Sequence, residues 1–363
     1  MQIYRKVKVL KDQGRLESFS GEESKRKLVI SIYFQGAPNQ IDERKTEMKY
    51  TEIFQPCEQR VVEVLKDIGM NMELLSTHIT NVLNSNVSQK LRSTYPVIIY
   101  TPALGLDRDM YMYNIEELAK QGFMVFTISA PHEAMFTVFP NGEYVHQSER
   151  MRQIGSDNYS ELNNLVSIRK KDIQFLLDLL PILNTKDETL QGCIELDKIA
   201  LIGHSLGGIA ALEVAMQDER IQASVLLDPS MQIYREECVE RTSKPLTLVL
   251  RQESSNLEQL KQKLGEEIAT NFIQGQERMY QKLCGYGYFV KIHKASHMSF
   301  SDMPLFEEDT VLSHRTREIH GIINKTVIAF LEGCLVKQTN SFSTVMDNGE
   351  GNISIINGLG EII

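Results

Sequence analysis

Cysteine, positive charge and long apolar runs are all scarce in this sequence, and each shortage removes a class of explanation. The five cysteines, Cys57, Cys193, Cys238, Cys284 and Cys334, stand far apart with no CxxC or other metal-ligand spacing, and their number is odd. Neither a zinc site nor a disulfide framework is expected; they read as reduced thiols in a cytosolic protein. Acidic residues outnumber basic ones by 48 to 39, a formal net charge of -9. With no basic surplus to neutralise phosphates, nucleic acid is not an expected partner. No run approaches the roughly 18 consecutive apolar residues of a membrane span, so stable membrane insertion is not expected either. Met1-Gln2-Ile3-Tyr4-Arg5-Lys6 meets charged residues too soon to read as a secretory leader. The expectation is a cytoplasmic protein. What is present is the make-up of a globular chain, 363 residues, 42% hydrophobic and 24% charged, enough to bury a sizeable core.

Two β-rich runs, Val7-Lys8-Val9-Leu10 and Leu28-Val29-Ile30-Ser31-Ile32-Tyr33, flank a polar stretch with Ser20, Gly21 and Glu22, which predicts an N-terminal antiparallel hairpin. From Glu58 to Leu83 apolar residues recur at steps of three and four, the mark of one or two amphipathic helices. Beyond Pro96 short apolar runs alternate with helical segments. The runs are Val97 to Tyr100, Phe123 to Ile128, Ile199 to Ile202, Ala223 to Leu227, Leu246 to Leu250 and Tyr288 to Ile292. The helical segments lie near Tyr111 to Lys120, Leu165 to Leu180, Leu206 to Met216, Leu257 to Lys282 and Thr316 to Leu331. That alternation predicts an α/β protein with a largely parallel sheet. Residues 131–160 lack periodicity and read as a lid or a substrate-contacting loop. Residues 337–363 read as a C-terminal tail, either loosely held or adding a strand.

The chemistry centres on Gly203-His204-Ser205-Leu206-Gly207. The pattern GxSxG is weak alone, but here it follows the apolar run Lys198 to Ile202 and opens a helix signal. That is the strand-turn-helix setting of a nucleophile elbow, with the glycines at 203 and 207 sparing the turn its clashes. A serine hydroxyl attacks only when a base removes its proton. Of the later histidines, His297 follows the last core strand, whereas His293 belongs to that strand and His314 and His320 to a later helix. The acid is open between Asp228, at the end of the strand after the elbow helix, and Glu253, after the next strand. Two backbone N–H groups should hold the oxyanion: one from Leu206, the other from Ala103 or Leu104, since Pro102 has none. Phe126, Met135, Phe136, Phe139 and Met298 read as acyl-pocket lining or core packing, and His132 as a pocket neighbour or a structural residue.

Taken together, the strand Arg26 to Ile30, the loop ending Leu104-Gly105, the run Gly122 to Val125, the helix around Ile168 to Leu180, Leu196 to Ser205 and Ala295-Ser296-His297 resemble the platelet-activating factor acetylhydrolase family, in its bacterial form. The resemblance runs from about Leu28 to Leu331 and implies an α/β-hydrolase fold, with residues 1–336 expected as one domain. It also implies a Ser205, Asp228, His297 triad with Glu253 displaced as acid, and oxyanion donors at Leu104 and Leu206. The activity it implies is hydrolysis of carboxylic esters through an acyl-enzyme, with short or oxidised sn-2 acyl chains of phospholipids as substrates and no metal or cofactor. The alternatives are another hydrolase of this fold, a carboxylesterase, lactonase or cutinase-like enzyme, or a non-catalytic binding protein on the same scaffold. This chain departs from the family at Pro102-Ala103, where a His-Gly pair is usual.

Overall fold

The structure is a computed structural model describing residues 2–19, 23–36, 47–84, 91, 93–155, 157–235, 243–336, 341–347 and 351–363. Its centre is a ten-stranded sheet. Six neighbouring strands are parallel, in the spatial order β13 (Gly287–Ile292), β12 (Leu246–Arg251), β11 (Ile221–Leu227), β10 (Ile194–His204), β6 (Tyr95–Thr101) and β7 (Met124–Ile128). These strands are buried on both faces, which is why their sequences are apolar runs and not alternating patterns. Beyond β7, β2 (Lys25–Gln35) is antiparallel, β1 (Ile3–Leu16) is antiparallel to β2, and β5 (Val82–Asn84) forms that edge. At the opposite edge β14 (Ile353–Ile355) lies antiparallel to β13. The predicted hairpin is therefore β1 and β2; its turn residues Ser20, Gly21 and Glu22 lie outside the described residues, as do Cys238, Lys337, Asn348 and Gly349.

Helices fill the connections. The amphipathic stretch after Glu58 is α1 (Glu58–Asp67) and α2 (Met72–Thr77), the latter capped by the Asn71 side chain; a two-residue ribbon, β3 (Met48–Lys49) with β4 (Ile79–Thr80), flanks them. α3 (Met112–Lys120) follows β6. Residues 131–160 are more structured than the missing periodicity suggests: β8 (Phe136–Val138) pairs with β9 (Tyr144–His146), and α4 (Glu149–Arg152) is capped by Ser148. Three-residue strands and a single helical turn are too short to leave a period in sequence. α5 (Tyr159–Lys186) is longer than its apolar core and starts at the Asn158 cap. α6 (Leu206–Ala215) is buried nearly all round between sheet and α5.

The single helical segment expected from Leu257 to Lys282 is two helices, α7 (Leu257–Leu264) and α8 (Glu266–Lys282), because Gly265 takes φ +81, ends the first and opens the second. α9 (Thr310–Leu331) packs on α3 and continues as a π turn over Glu332–Val336. Val311–Val336 is long enough and on average apolar enough to cross a membrane, although charges interrupt its apolar residues, and half of its most apolar 18 residues are buried within the fold. The tail contains α10 (Ser341–Asp347) and β14.

Candidate active site

Three loops at the carboxyl ends of β10, β11 and β13 converge on one point. β10 ends at His204, and Ser205 turns the chain at φ 56 and ψ -121 into α6, its N–H bound to Leu227 O at 3.0 Å. The turn leaves no room for side chains on either flank. A Cβ on Gly203 would lie 2.3 Å from Gly207 O, and one on Gly207 would lie 2.5 Å from Pro102 O and 2.6 Å from Thr101 O. Asp228, just past β11, also has a left-handed backbone, φ 42, which a short polar residue tolerates better than most. His297 opens a short 3-10 turn after β13.

The side chains form a continuous line. Ser205 Oγ is 3.0 Å from His297 Nε2, and His297 Nδ1 is 2.6 Å from Asp228 Oδ2. The other carboxylate oxygen of Asp228 accepts from Arg251 Nη1 and from the Gln252 N–H at 3.2 Å, and Gln252 Nε2 donates to Oδ2 at 3.0 Å. Burial works to raise the pKa of Asp228, but the Arg251 charge and the His297 hydrogen bond outweigh it and hold the carboxyl at about 2. It is ionised at any working pH. Glu253 is engaged elsewhere, accepting from the Lys294 N–H at 2.7 Å and contacting His293 Nδ1 at 3.3 Å. It fastens the turn that leads to His297.

The loop after β6 reaches the serine from the other side. The Ala103 N–H is taken by the Tyr111 hydroxyl at 2.8 Å, which removes one of the two donors open to the sequence argument. No intramolecular acceptor meets the N–H of Leu104 or Leu206 among the described residues. Despite the Pro102-Ala103 departure, the loop is firmly held: buried Arg169 of α5 donates to the carbonyls of Pro102 and Ala103 and pairs with buried Glu133 at 2.9 Å. Tyr111 Oη also lies 3.1 Å from His204 Nδ1, whose Nε2 is 3.1 Å from His297 O. Burial, then the neighbouring His297, drives the pKa of His204 well below its ordinary value, so a neutral ring donates from Nε2 and accepts at Nδ1.

A cavity of about 370 Å³ opens over Ser205 and His297. Its apolar wall comes from Leu104, Ile154, Leu162, Leu264, Ile268 and Phe272. The aromatic and Met candidates of the sequence reading are elsewhere. Phe126 and Phe136 are fully buried in the core, and Phe139, Met135 and Met298 are not among the lining residues. His132 borders a separate cleft with Glu17, Lys25 and Lys27. Ser230, which the sequence reading missed, places its Oγ 3.1 Å from that of Ser205. Among the described residues no group of three or more His, Cys, Asp or Glu is arranged to hold a metal.

A family model described as platelet-activating factor acetylhydrolase, isoform II, matches residues 17–352. The platelet-activating factor acetylhydrolases of Cavia porcellus and Bos taurus are 26% and 27% identical to the chain over 203 and 202 residues, covering 50% of this chain and 46% of each relative. A probable 1-alkyl-2-acetylglycerophosphocholine esterase of Arthroderma benhamiae is 26% identical over 133 residues, 37% of this chain and 31% of that one. The chain thus spans about half the length, or less, of the curated relatives it matches. Among solved structures, a ferulic acid esterase from Streptomyces cinnamoneus superposes with a TM-score of 0.74 over 98% of this chain and 96% of that one, at 20% identity, a likeness of fold.

Proposed function

The chain belongs to the platelet-activating factor acetylhydrolase, isoform II, family and has the α/β-hydrolase fold, and from that premise we propose that it is a serine esterase acting through Ser205, His297 and Asp228. The observation that carries the reading is the unbroken hydrogen-bond line from Ser205 Oγ through His297 to Asp228. Ser205 attacks the ester carbonyl while His297 Nε2 takes its proton, and Asp228 holds the imidazole and its transient charge. The Leu104 and Leu206 N–H groups accommodate the oxyanion. His297 then returns the proton to the departing alcohol, leaving an acyl-Ser205. Water, deprotonated by the same histidine, releases the acid.

The cavity favours a small acyl group. Its volume of about 370 Å³ sits near the low end of ligand pockets, roughly 300–1,000 Å³, and its wall is aliphatic apart from Phe272. Short acyl esters, including acetyl at the sn-2 position of a glycerophospholipid as the names of the relatives describe, are the proposed substrates. Labelling with a fluorophosphonate and hydrolysis of p-nitrophenyl acetate are the direct tests. The wild type is expected to do both and Ser205→Ala neither; an unreactive wild type sinks the esterase reading.

A further inference from the structure

Arg251 ends β12 with its side chain fully buried, and it faces Asp228 on the side away from His297. Its Nε donates to Gln276 Oε1 at 2.8 Å, and its guanidinium lies 4.6 Å from the ring of Phe272, one turn earlier on α8. Gln276 is itself buried, and its amide Nε2 donates to Gly358 O at 3.1 Å and Ser255 O at 3.3 Å. Ser255 in turn donates from Oγ to Gly360 O at 3.1 Å. Gly360 has φ +78, and a Cβ there would fall 1.9 Å from Ser255 O. The segment that delivers these two carbonyls is anchored by β14 on β13 and by Ile356, fully buried with its N–H on Phe289 O at 3.0 Å.

Each link in this series is buried and directional, and it runs without a break from the C-terminal segment to the carboxylate oriented toward His297. We propose that Gln276 and Arg251, braced by residues 353–360, are positioning residues that fix the rotamer of Asp228 for the reaction. The family match ends at residue 352, so the last link comes from residues for which that match does not speak. A guanidinium is a planar fork that constrains direction as well as charge. A glutamine holding two carbonyls through its amide nitrogen has its oxygen aimed by default. Tipping Gln276 releases Arg251 and leaves Asp228 Oδ1 held by the Gln252 N–H alone, at 3.2 Å, so the carboxylate is freer to turn away from the line to His297. The inference rests on the esterase reading for its kinetic consequence but not for its geometry.

The test uses the full chain with Arg251→Met, Gln276→Met and Gly360→Val. It reads kcat and KM on p-nitrophenyl acetate, normalised to sites titrated by fluorophosphonate, and the low-field proton resonance of the His297 to Asp228 hydrogen bond. For Arg251→Met, kcat per titrated site should fall about 100-fold, the scale of a misplacement on the order of 1 Å, with KM little changed and the resonance lost. The other two variants should move the same way by less. If Arg251→Met does not fold, Arg251→Lys keeps the charge without the fork and should still lose kcat. Folded variants with wild-type kcat per site and an intact resonance would overturn the brace. A loss confined to the number of titratable sites would overturn it too, because that is the signature of stability alone. An inactive wild type would fail the esterase reading instead, and the resonance would still decide whether the brace aims Asp228.

Discussion

His204 occupies a position where any residue could precede Ser205, yet its ring is fully buried and bonded at both nitrogens. Through Tyr111 it reaches the Ala103 N–H, and through Nε2 the carbonyl of His297, so one neutral ring ties the loop after β6 to His297. Tyr111→Phe would leave both the Ala103 N–H and His204 Nδ1 unpaired in the interior. The expected cost is about 1–3 kcal/mol of unfolding free energy, read as a lower denaturant midpoint, with kcat reduced more than KM. The two acidic candidates separate as cleanly. Asp228→Asn should lower kcat on the order of 10⁴-fold, as a triad acid does when the histidine loses its orientation. Glu253→Gln should stay near wild type, since Glu253 serves the turn at Lys294. The opposite ranking in a plain rate assay would reassign the acid.

The elements around the site were legible in the sequence to different degrees. The elbow, the parallel strands and the histidine after β13 announce themselves through glycines, apolar runs and chain order, all local signals. The pocket wall did not, because it is assembled from Ile154 and Leu162 on one side and from Leu264, Ile268 and Phe272 on the other. The second group straddles a helix break that a single amphipathic pattern hides. Phe126 and Phe136 drew the eye as aromatics, but their elements point them into the core. Arg169 left a trace that could have been read: it sits on the buried stripe of α5 with Leu162, Leu165, Val166 and Ile173, where a cation requires a partner. Arg251, closing an apolar strand, left the same trace. Their partners Glu133 and Asp228 are distant in sequence, so no spacing rule finds them. At this scale the acyl preference is testable. Ile268→Ala enlarges the wall on α8 and should raise the ratio of kcat/KM for longer over acetyl esters. The rise should be roughly fourfold for each methylene newly buried, at about 0.8 kcal/mol apiece, and a flat chain-length series would place the acyl group elsewhere.

At the scale of the whole molecule, segments far apart in sequence meet on buried charges. Arg5 of β1 pairs with Asp109 at 2.5 Å, fastening the hairpin to the loop before α3. Asp302 accepts from the N–H groups of Met112 at 2.6 Å and Tyr113 at 3.1 Å and from the Tyr50 hydroxyl at 3.0 Å, joining three regions at the start of α3. Burial, only partly offset by those hydrogen bonds, lifts its pKa to about 7 from an ordinary 3.8. Between these values the native state holds a proton that the unfolded chain has lost. Stability from this group is therefore present below about pH 4 and declines as pH rises toward 7. Asp302→Asn should flatten the fall of Tm across that interval; an unchanged slope would point to another group.

β14, at one edge of the sheet, lies far along the chain from Asp228 and Arg251. Gly358 and Gly360 meet Gln276 and Ser255 just past the segment where β14 pairs with β13. A chain emerging from the ribosome carries its serine, aspartate and histidine well before these carbonyls exist. If the brace aims the acid, hydrolysis stays slow until residue 360 docks, so full activity waits on a segment synthesised well after His297.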